Sequence, residues 1–430
     1  MADIIPPAAI GRSSGEGAAE PEWRHGNDRE GYALSPLADL ADGTEVETGD
    51  GPARVTNLAP HILAASPAGV AGSFAGPDIA PGHRPHQRQA YAAIDLGTNN
   101  CRLLIARPSG ENFTVIDAFS RVVRLGEGLA QAGRLSELAM DRTLAALNVC
   151  AEKLMRRRVH LARSVATEAC RRAENGMDFI ERVRRETGIV LDIISAREEA
   201  RLAVLGCQVL LEPGIGPAMI FDIGGGSTEL VLIESTDTVP RILDWQSAPW
   251  GVVSLTESCE GEGHGEGADE AARRYRYARM KAIVHDAFSS FAVRISGARE
   301  YAARFGPLRL LGTSGTVTTL ASLHLDLPQY DRRAVDGVIV PTEAMRAISA
   351  RLSTMPLAQR QQLPCIGRER ADLVVAGCAI LEVILDLWPA ARLGVADRGI
   401  REGILRGLIG GDDRPRRRVE ASGLAGAPHA

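Results

Sequence analysis

The sequence predicts an α/β protein built as two related halves that face each other across a cleft. Two observations carry this expectation. Apolar runs alternate with amphipathic helical stretches, and an aspartate followed by a glycine turn occurs twice, about a domain's length apart. The first copy reads Ala92-Ala93-Ile94-Asp95-Leu96-Gly97-Thr98-Asn99-Asn100. The second reads Ile220-Phe221-Asp222-Ile223-Gly224-Gly225-Gly226-Ser227-Thr228-Glu229. Glycines let the backbone turn tightly and aim several N–H groups at one point, which suits a phosphate oxygen, and the aspartate can hold the cation that travels with it.

The segment after each turn decides its type. P-loops and Rossmann turns feed a helix, whereas residues 101–106 and 229–233 are short apolar stretches that read as strands. Each unit is therefore strand, turn, strand. Met140, Leu144, Leu147, Ala151 and Leu154 then recur at helical spacing and mark a helix packed on a sheet. A strand is expected over 163–167, and a helix from about Asn175, its N-cap, to Glu186, stopped by Gly188. A strand over 189–194 leads into a helix through Ala200, Leu202, Ala203, Val204 and Leu205, and Glu212-Pro213-Gly214 delivers the chain to the second hairpin. A third turn, Leu310-Leu311-Gly312-Thr313-Ser314-Gly315-Thr316, runs into a helix over 317–323, whose N-terminus can cap a phosphate or a nucleotide. Residues 370–387 read as an apolar, buried helix, and 396–405 as a turn and short helix returning to the core.

Composition bounds the rest. With 430 residues, 45% hydrophobic and 24% charged, the chain can bury two cores. Residues 1–88, rich in Ala, Gly and Pro, read as a disordered extension. Domain I is expected over 89–212, domain II over 213–410 with its last helix returning to domain I, and a flexible tail with Arg416-Arg417-Arg418 over 411–430. The tract from Gly261 to Gly267 reads as a surface loop, with His264 incidental. The start lacks a basic segment and an apolar core, so no secretory signal is expected, and no run reaches the ~18 apolar residues of a membrane span. Seven scattered cysteines form no Cys-x-x-Cys pair, which argues against a zinc site or disulfide framework and for a cytoplasmic location. Net charge is −5, yet residues 153–185 hold ten basic against four acidic side chains. That stretch either steers a phosphate chain toward the cleft or is a solvated face with its own ion pairs. Neither a nucleic-acid nor a membrane partner is expected.

In order, Asp95-Leu96-Gly97-Thr98-Asn99, Ala166-Thr167-Glu168-Ala169-Cys170-Arg171-Arg172, Ser195-Ala196-Arg197-Glu198-Glu199-Ala200-Arg201, Asp222-Ile223-Gly224-Gly225-Gly226-Ser227-Thr228-Glu229, Thr313-Ser314-Gly315-Thr316 and Arg401-Glu402-Gly403 resemble the exopolyphosphatase/guanosine pentaphosphate phosphohydrolase (Ppx/GppA) family over about residues 90–410. The resemblance implies the actin/sugar kinase/heat-shock ATPase fold, two RNase H-like domains with the active site between them. It also implies Glu199 as catalytic base and Asp222 and Glu229 at a Mg²⁺ or other divalent-cation site. Arg171 is implied as a lining of the phosphate-chain channel. Ala196 stands where the family often has glycine, and Thr98-Asn99-Asn100 replaces the commoner Ser-Asn-Ser. Longer members append a helical C-terminal domain; the chain resembles the short, two-domain type. By analogy with the family, a homodimer is possible.

On these residues the expected reaction is phosphoanhydride hydrolysis. The phosphate-binding set is Asp95, Gly97, Thr98, Asn99, Arg171, Gly224, Gly225, Gly226, Ser227, Thr228, Thr313, Ser314, Gly315 and Thr316. Inorganic polyphosphate is the leading substrate and guanosine pentaphosphate (pppGpp) the nearest alternative, since both present a terminal phosphoanhydride. A kinase of the same superfold is a more distant alternative, and a non-catalytic nucleotide sensor a third. Glu198 and Glu199 are also what a helix dipole favours at any helix start; neighbours point ~100° apart, so one of the two faces a cleft. Asp222 can simply cap a turn, Glu229 can be exposed at a strand start, Arg171 can lie on the surface, and the hydroxyls at 313–316 can form an N-cap cluster.

Overall fold

The computed structural model describes residues 89–110, 112–235, 240–261 and 267–412. The extension over 1–88, the arginines at 416–418 and His264 lie outside the described residues. The chain runs β1 (Ala90–Leu96), β2 (Asn100–Ser109), β3 (Asn112–Val122), α1 (Leu129–Ala132), α2 (Glu137–Arg156), β4 (Val159–Ala166), α3 (Glu168–Arg172), α4 (Gly176–Thr187), β5 (Asp192–Ile193) and α5 (Ala196–Cys207). It continues through β6 (Pro217–Ile223), β7 (Thr228–Glu234), β8 (Arg241–Ala248), α6 (Val252–Ser258), α7 (Glu270–Ala303), β9 (Arg309–Thr313), α8 (Gly315–His324), α9 (Arg332–Val335) and β10 (Ile339–Pro341). The last elements are α10 (Thr342–Thr354), α11 (Leu357–Arg360), α12 (Val374–Leu387), β11 (Arg392–Ala396) and α13 (Ile400–Asp412).

Two mixed sheets result. The first runs β3-β2-β1-β4-β5: an antiparallel meander of β3, β2 and β1, then β4 and β5 parallel to β1. The second repeats the plan as β8-β7-β6 followed by parallel β9 and β11, with β10 added antiparallel at the edge. The duplication read from two hairpins thus extends to whole sheets. Strands β1 and β6 are buried along nearly their whole length, as central strands covered on both faces must be.

Local chemistry sets the helix ends. Ser136 accepts the Ala139 N–H at the start of α2, and Gly188, at φ +72°, closes α4 by donating to the Arg184 carbonyl. Three boundaries differ from expectation. Asn175 precedes α4 without capping it, because its side chain is spent on both backbone groups of Leu135. The expected strand over 189–194 shrinks to Asp192–Ile193: β4 pairs with it only at Val165 and Ala166, while Ile189 and Leu191 sink into the core as irregular chain. The apolar helix begins at Val374 rather than at 370, which leaves Arg370 on the preceding turn.

Packing explains how the halves are joined. Helix α5 lies between the sheets: Leu202 and Ala203 pack with Tyr91, Ala93 and Leu104 of the first, and Ala200, Val204 and Cys207 with Ile220, Val231 and Leu311 of the second. Helix α13 covers the first sheet through Ile400, Ile404, Leu405 and Leu408. It crosses α5 at glycines: a Cβ on Gly206 would stand 1.9 Å from the Gly399 carbonyl oxygen, and one on Gly403 2.1 Å from that of Leu202. No side chain fits that crossing.

Candidate active site

The two hairpin turns have the same hydrogen-bond geometry. The Gly97 N–H donates to the Asn100 carbonyl at 2.9 Å, and the Gly224 N–H to the Ser227 carbonyl at 2.9 Å, each two residues past its aspartate. Other carbonyls of both turns are occupied from outside: Thr98 by the Gly126 N–H, Asn99 by Val123 and Arg124, Gly224 by Val252, and Gly225 by Val253. The amides of Thr98, Asn99, Gly225 and Gly226 have no hydrogen-bond partner among the described residues. The turns also touch. A Cβ on Gly225 would stand 3.0 Å from the Asn99 amide nitrogen, and one on Gly226 2.6 Å from the Thr98 hydroxyl. Only glycine allows so close an approach.

Both turns line one cavity, together with Asp95, Asp222, Glu229 and Glu199. Glu199 arrives at the N-terminal end of α5, where Ser195 caps the helix by accepting the Glu198 N–H. The two adjacent glutamates part company. Glu198 pairs with Arg163 at 3.0 Å and Arg201 at 2.7 Å, while Glu199 lines the cavity and accepts a hydrogen bond from Arg171 at 3.1 Å. Glu229, 2% exposed, accepts from the Ser227 and Ser247 hydroxyls at 2.6 and 3.0 Å.

Burial dominates the electrostatics. It raises the Asp222 carboxyl to about 8, helped by the negative charges of Glu229 and Asp95 and opposed by Arg102. Asp95 is raised by burial against the pull of Arg102 and Arg401, and Glu229 by burial against its serine hydrogen bonds. Glu199 lies well above the usual carboxylate range because burial and neighbouring Glu229 outweigh Arg171. Such a cluster holds protons or cations readily, and a raised carboxyl suits proton transfer near neutral pH.

Not every expected residue reaches the cavity. Ser314, Gly315 and Thr316 do, at the start of α8, with Ser314 capping through the Val317 N–H and held at φ +153°. Thr313 instead lines a small adjoining cavity and gives its hydroxyl to the Arg398 carbonyl. Thr228 spends its hydroxyl on the Trp250 carbonyl. Arg171 bonds to Glu168, Glu199 and the Ile194 carbonyl rather than standing free. Most of the basic stretch is also paired: Arg182 with Glu137, Asp141 and Glu186, and Lys153, Arg156 and Arg157 with Asp117.

Several wall residues carry no signal in the sequence strong enough to single them out. Arg102 pairs across β1 and β2 with Asp95, a register that the hairpin spacing implies. Arg370 is one of several charged residues just before an apolar run, with Arg368, Glu369 and Asp372 beside it; burial and like-charged Arg102 push its guanidinium below its ordinary value. Neither arginine has an ion pair or side-chain hydrogen bond among the described residues. Asn99 and Asn100 each hold a buried, partnerless Oδ1. Val252, Ile366, Leu373, Val374 and Ile400 form an apolar part of the wall.

Comparison with known proteins agrees with this geometry. The sequence pattern of the Ppx/GppA phosphatase family matches residues 104–410. The chain is 32% identical over 337 residues to exopolyphosphatase 2 of Mycobacterium tuberculosis, covering 74% of this chain and 98% of that one. It is 28% identical over 325 residues to the guanosine-5'-triphosphate,3'-diphosphate pyrophosphatase of Aeromonas salmonicida, covering 76% of this chain and 60% of that one. Among solved structures, an exopolyphosphatase from Cytophaga hutchinsonii superposes with a TM-score of 0.65 at 25% identity, covering 75% of this chain and 98% of that one. The Aquifex aeolicus Ppx/GppA family member does so with 0.60 at 27% identity, covering 76% and 99%. Two duplicated sheets of actin-like ATPase type, opposed glycine turns and the matched sequence pattern together establish that the chain belongs to the Ppx/GppA phosphatase family.

Proposed function

We propose that the chain hydrolyses the terminal phosphoanhydride bond of inorganic polyphosphate and releases orthophosphate. The observation that carries this reading is the set of four partnerless amides, two from each opposed turn, around a cavity that also holds Glu199. Those amides, with the α8 N-terminus at Ser314, Gly315 and Thr316, cradle the phosphoryl oxygens, while the Gly97 and Gly224 N–H groups close the turns that aim them. Arg102 and Arg370 offset the charge of the chain. Glu199 takes a proton from the attacking water; the water oxygen bonds to the terminal phosphorus while the bridging P–O bond breaks and its electron pair leaves with the shortened chain. The raised proton affinity of Glu199 makes it a stronger base than an ordinary carboxylate.

The residues present fit a hard divalent cation such as Mg²⁺. Asp222 and Asp95 supply oxygen donors whose carboxyls burial raises, so a bound cation would take the place of the proton, and the Asn99 and Asn100 Oδ1 atoms lack partners. Among the described residues no three acidic, His or Cys side chains converge into a ready-made chelate. That matches Mg²⁺, which takes one or two carboxylates and completes its shell with water and substrate phosphates. When bound, the cation supplies positive charge to the phosphoryl oxygens. Asp222 would hold it, with Glu229 behind. No helix among the described residues is long and apolar enough to cross a membrane, and all seven cysteines are free, which supports a cytoplasmic setting.

A second reading is hydrolysis of pppGpp, favoured by the apolar wall of Val252, Ile366, Leu373 and Val374, which polyphosphate does not need and a nucleoside does. Orthophosphate release from long polyphosphate and from pppGpp, measured side by side with wild type and Glu199→Gln, tests both. Faster turnover of polyphosphate supports the first reading, faster turnover of the nucleotide replaces it with the second, and release of phosphate from neither overturns both.

A further inference from the structure

One cavity-wall carboxylate has no part in the reaction above. Glu168 opens α3, its side chain is 12% exposed, and it lies against the second turn, where a Cβ on Gly226 would stand 3.0 Å from its Cγ. Its Oε2 accepts two hydrogen bonds from Arg171, at 3.0 Å from Nε and 2.6 Å from Nη2. Arg171 gives Nη1 to the Ile194 carbonyl at 2.7 Å and a second Nη2 proton to Glu199 Oε2 at 3.1 Å. Four of the five guanidinium protons are committed. An arginine beside a phosphate site ordinarily presents its fork to the phosphate. Here Glu168 and Glu199 line the cavity, and the guanidinium spans the two carboxylates.

We propose that Glu168 is a positioning residue: it fixes Arg171 against Glu199, which keeps Glu199 oriented, and it holds that guanidinium out of the phosphate cradle. The inference rests on the reading of Glu199 as proton acceptor. It predicts effects of opposite sign on binding and turnover. Neutralising Glu168 removes a like charge from the cavity and releases Arg171 Nε and one Nη2 proton toward an anion, so a phosphate chain binds more tightly. The same change loosens Glu199, so turnover slows.

The test uses wild type, Glu168→Gln, Arg171→Ala and the double variant. Each is titrated by calorimetry with a non-hydrolysable imido analogue of tripolyphosphate, and kcat and KM for orthophosphate release are measured on the same four proteins. Glu168→Gln should bind the analogue about 3- to 30-fold more tightly and show a kcat lower by about tenfold. In the Arg171→Ala background the kcat loss from Glu168→Gln should vanish, because no guanidinium remains to be positioned. Unchanged or weaker analogue binding by Glu168→Gln overturns the proposal, and so do kcat losses that add in the double variant. The binding arm needs no turnover: a wild type that binds the analogue yet releases no orthophosphate sinks the hydrolase reading and the turnover half of the proposal, whereas tighter or unchanged analogue binding by Glu168→Gln still decides whether Glu168 holds Arg171 out of the cradle; no binding by any of the four proteins sinks both.

Discussion

Replacing Asp222, a half-buried residue of the cavity wall, by asparagine should make the cation-free protein more stable, the reverse of what most substitutions do. Burial first, and Glu229 and Asp95 after it, push this carboxyl from 3.8 to about 8. The unfolded chain ionises the group near 3.8, so from there to about 8 the folded state binds the additional proton and stability falls as pH rises. The favourable contribution is complete below the unfolded value and gone above the folded one. At ~1.4 kcal/mol per unit, the penalty reached at pH 7 is about 4 kcal/mol for a dry carboxylate. Asp222 still faces the cavity, where water and counter-ions relax that penalty, and about 1–3 kcal/mol is expected. Thermal melting of both proteins in EDTA, from about pH 5 to about pH 9, reads it directly. Asparagine should melt a few degrees higher near pH 8 and show a shallower decline with pH. Adding Mg²⁺ should raise the wild type and leave the variant nearly unmoved, since only the wild type gains a ligand. A variant that melts lower at every pH with the wild-type slope would refute the reasoning.

Glu199→Gln should fold with an unchanged or higher melting temperature and lose about 10²–10⁴-fold in orthophosphate release, the usual worth of a general base; equal activity in a steady-state assay would count against the assignment. Gly403→Ala places a methyl 2.1 Å from the Leu202 carbonyl oxygen, so it should cost about 1–3 kcal/mol in urea unfolding and reduce kcat by shifting α5, which carries Glu199. Arg370→Ala should raise KM for a phosphate chain by about 10- to 100-fold, the worth of a charge-assisted hydrogen bond, with a smaller change in kcat; an unchanged KM would place the chain elsewhere in the cavity.

The hairpins are legible in the sequence because glycine and aspartate have few alternative uses at the end of a buried strand. The ends of α4 and α5 are nearly so, because Gly188 and Ser195 act locally. The hidden features depend on partners far away in sequence. Helical geometry says that Glu198 and Glu199 diverge, but it takes Arg163 on β4 and Arg171 on α3 to show which faces the cavity. Asn175 carries the residue type of an N-cap, yet Leu135, remote in sequence, claims its side chain. The family resemblance implies Arg171 as a lining of the phosphate-chain channel, but nothing in the sequence shows that Glu168 and Glu199 both pair with it. Net charge over a stretch says nothing of pairing, which is why the arginines of α4 form a self-neutralised face.

The central claim is that two opposed glycine turns hold a phosphate tail while Glu199 deprotonates the water that cuts it. Single-turnover cleavage of tripolyphosphate in ¹⁸O-water, by wild type and Glu199→Gln in parallel, tests it most directly. The account predicts that wild type releases orthophosphate carrying one solvent oxygen and that the variant is slower by at least about 10²-fold. Orthophosphate without label, or a variant as fast as wild type, would contradict it.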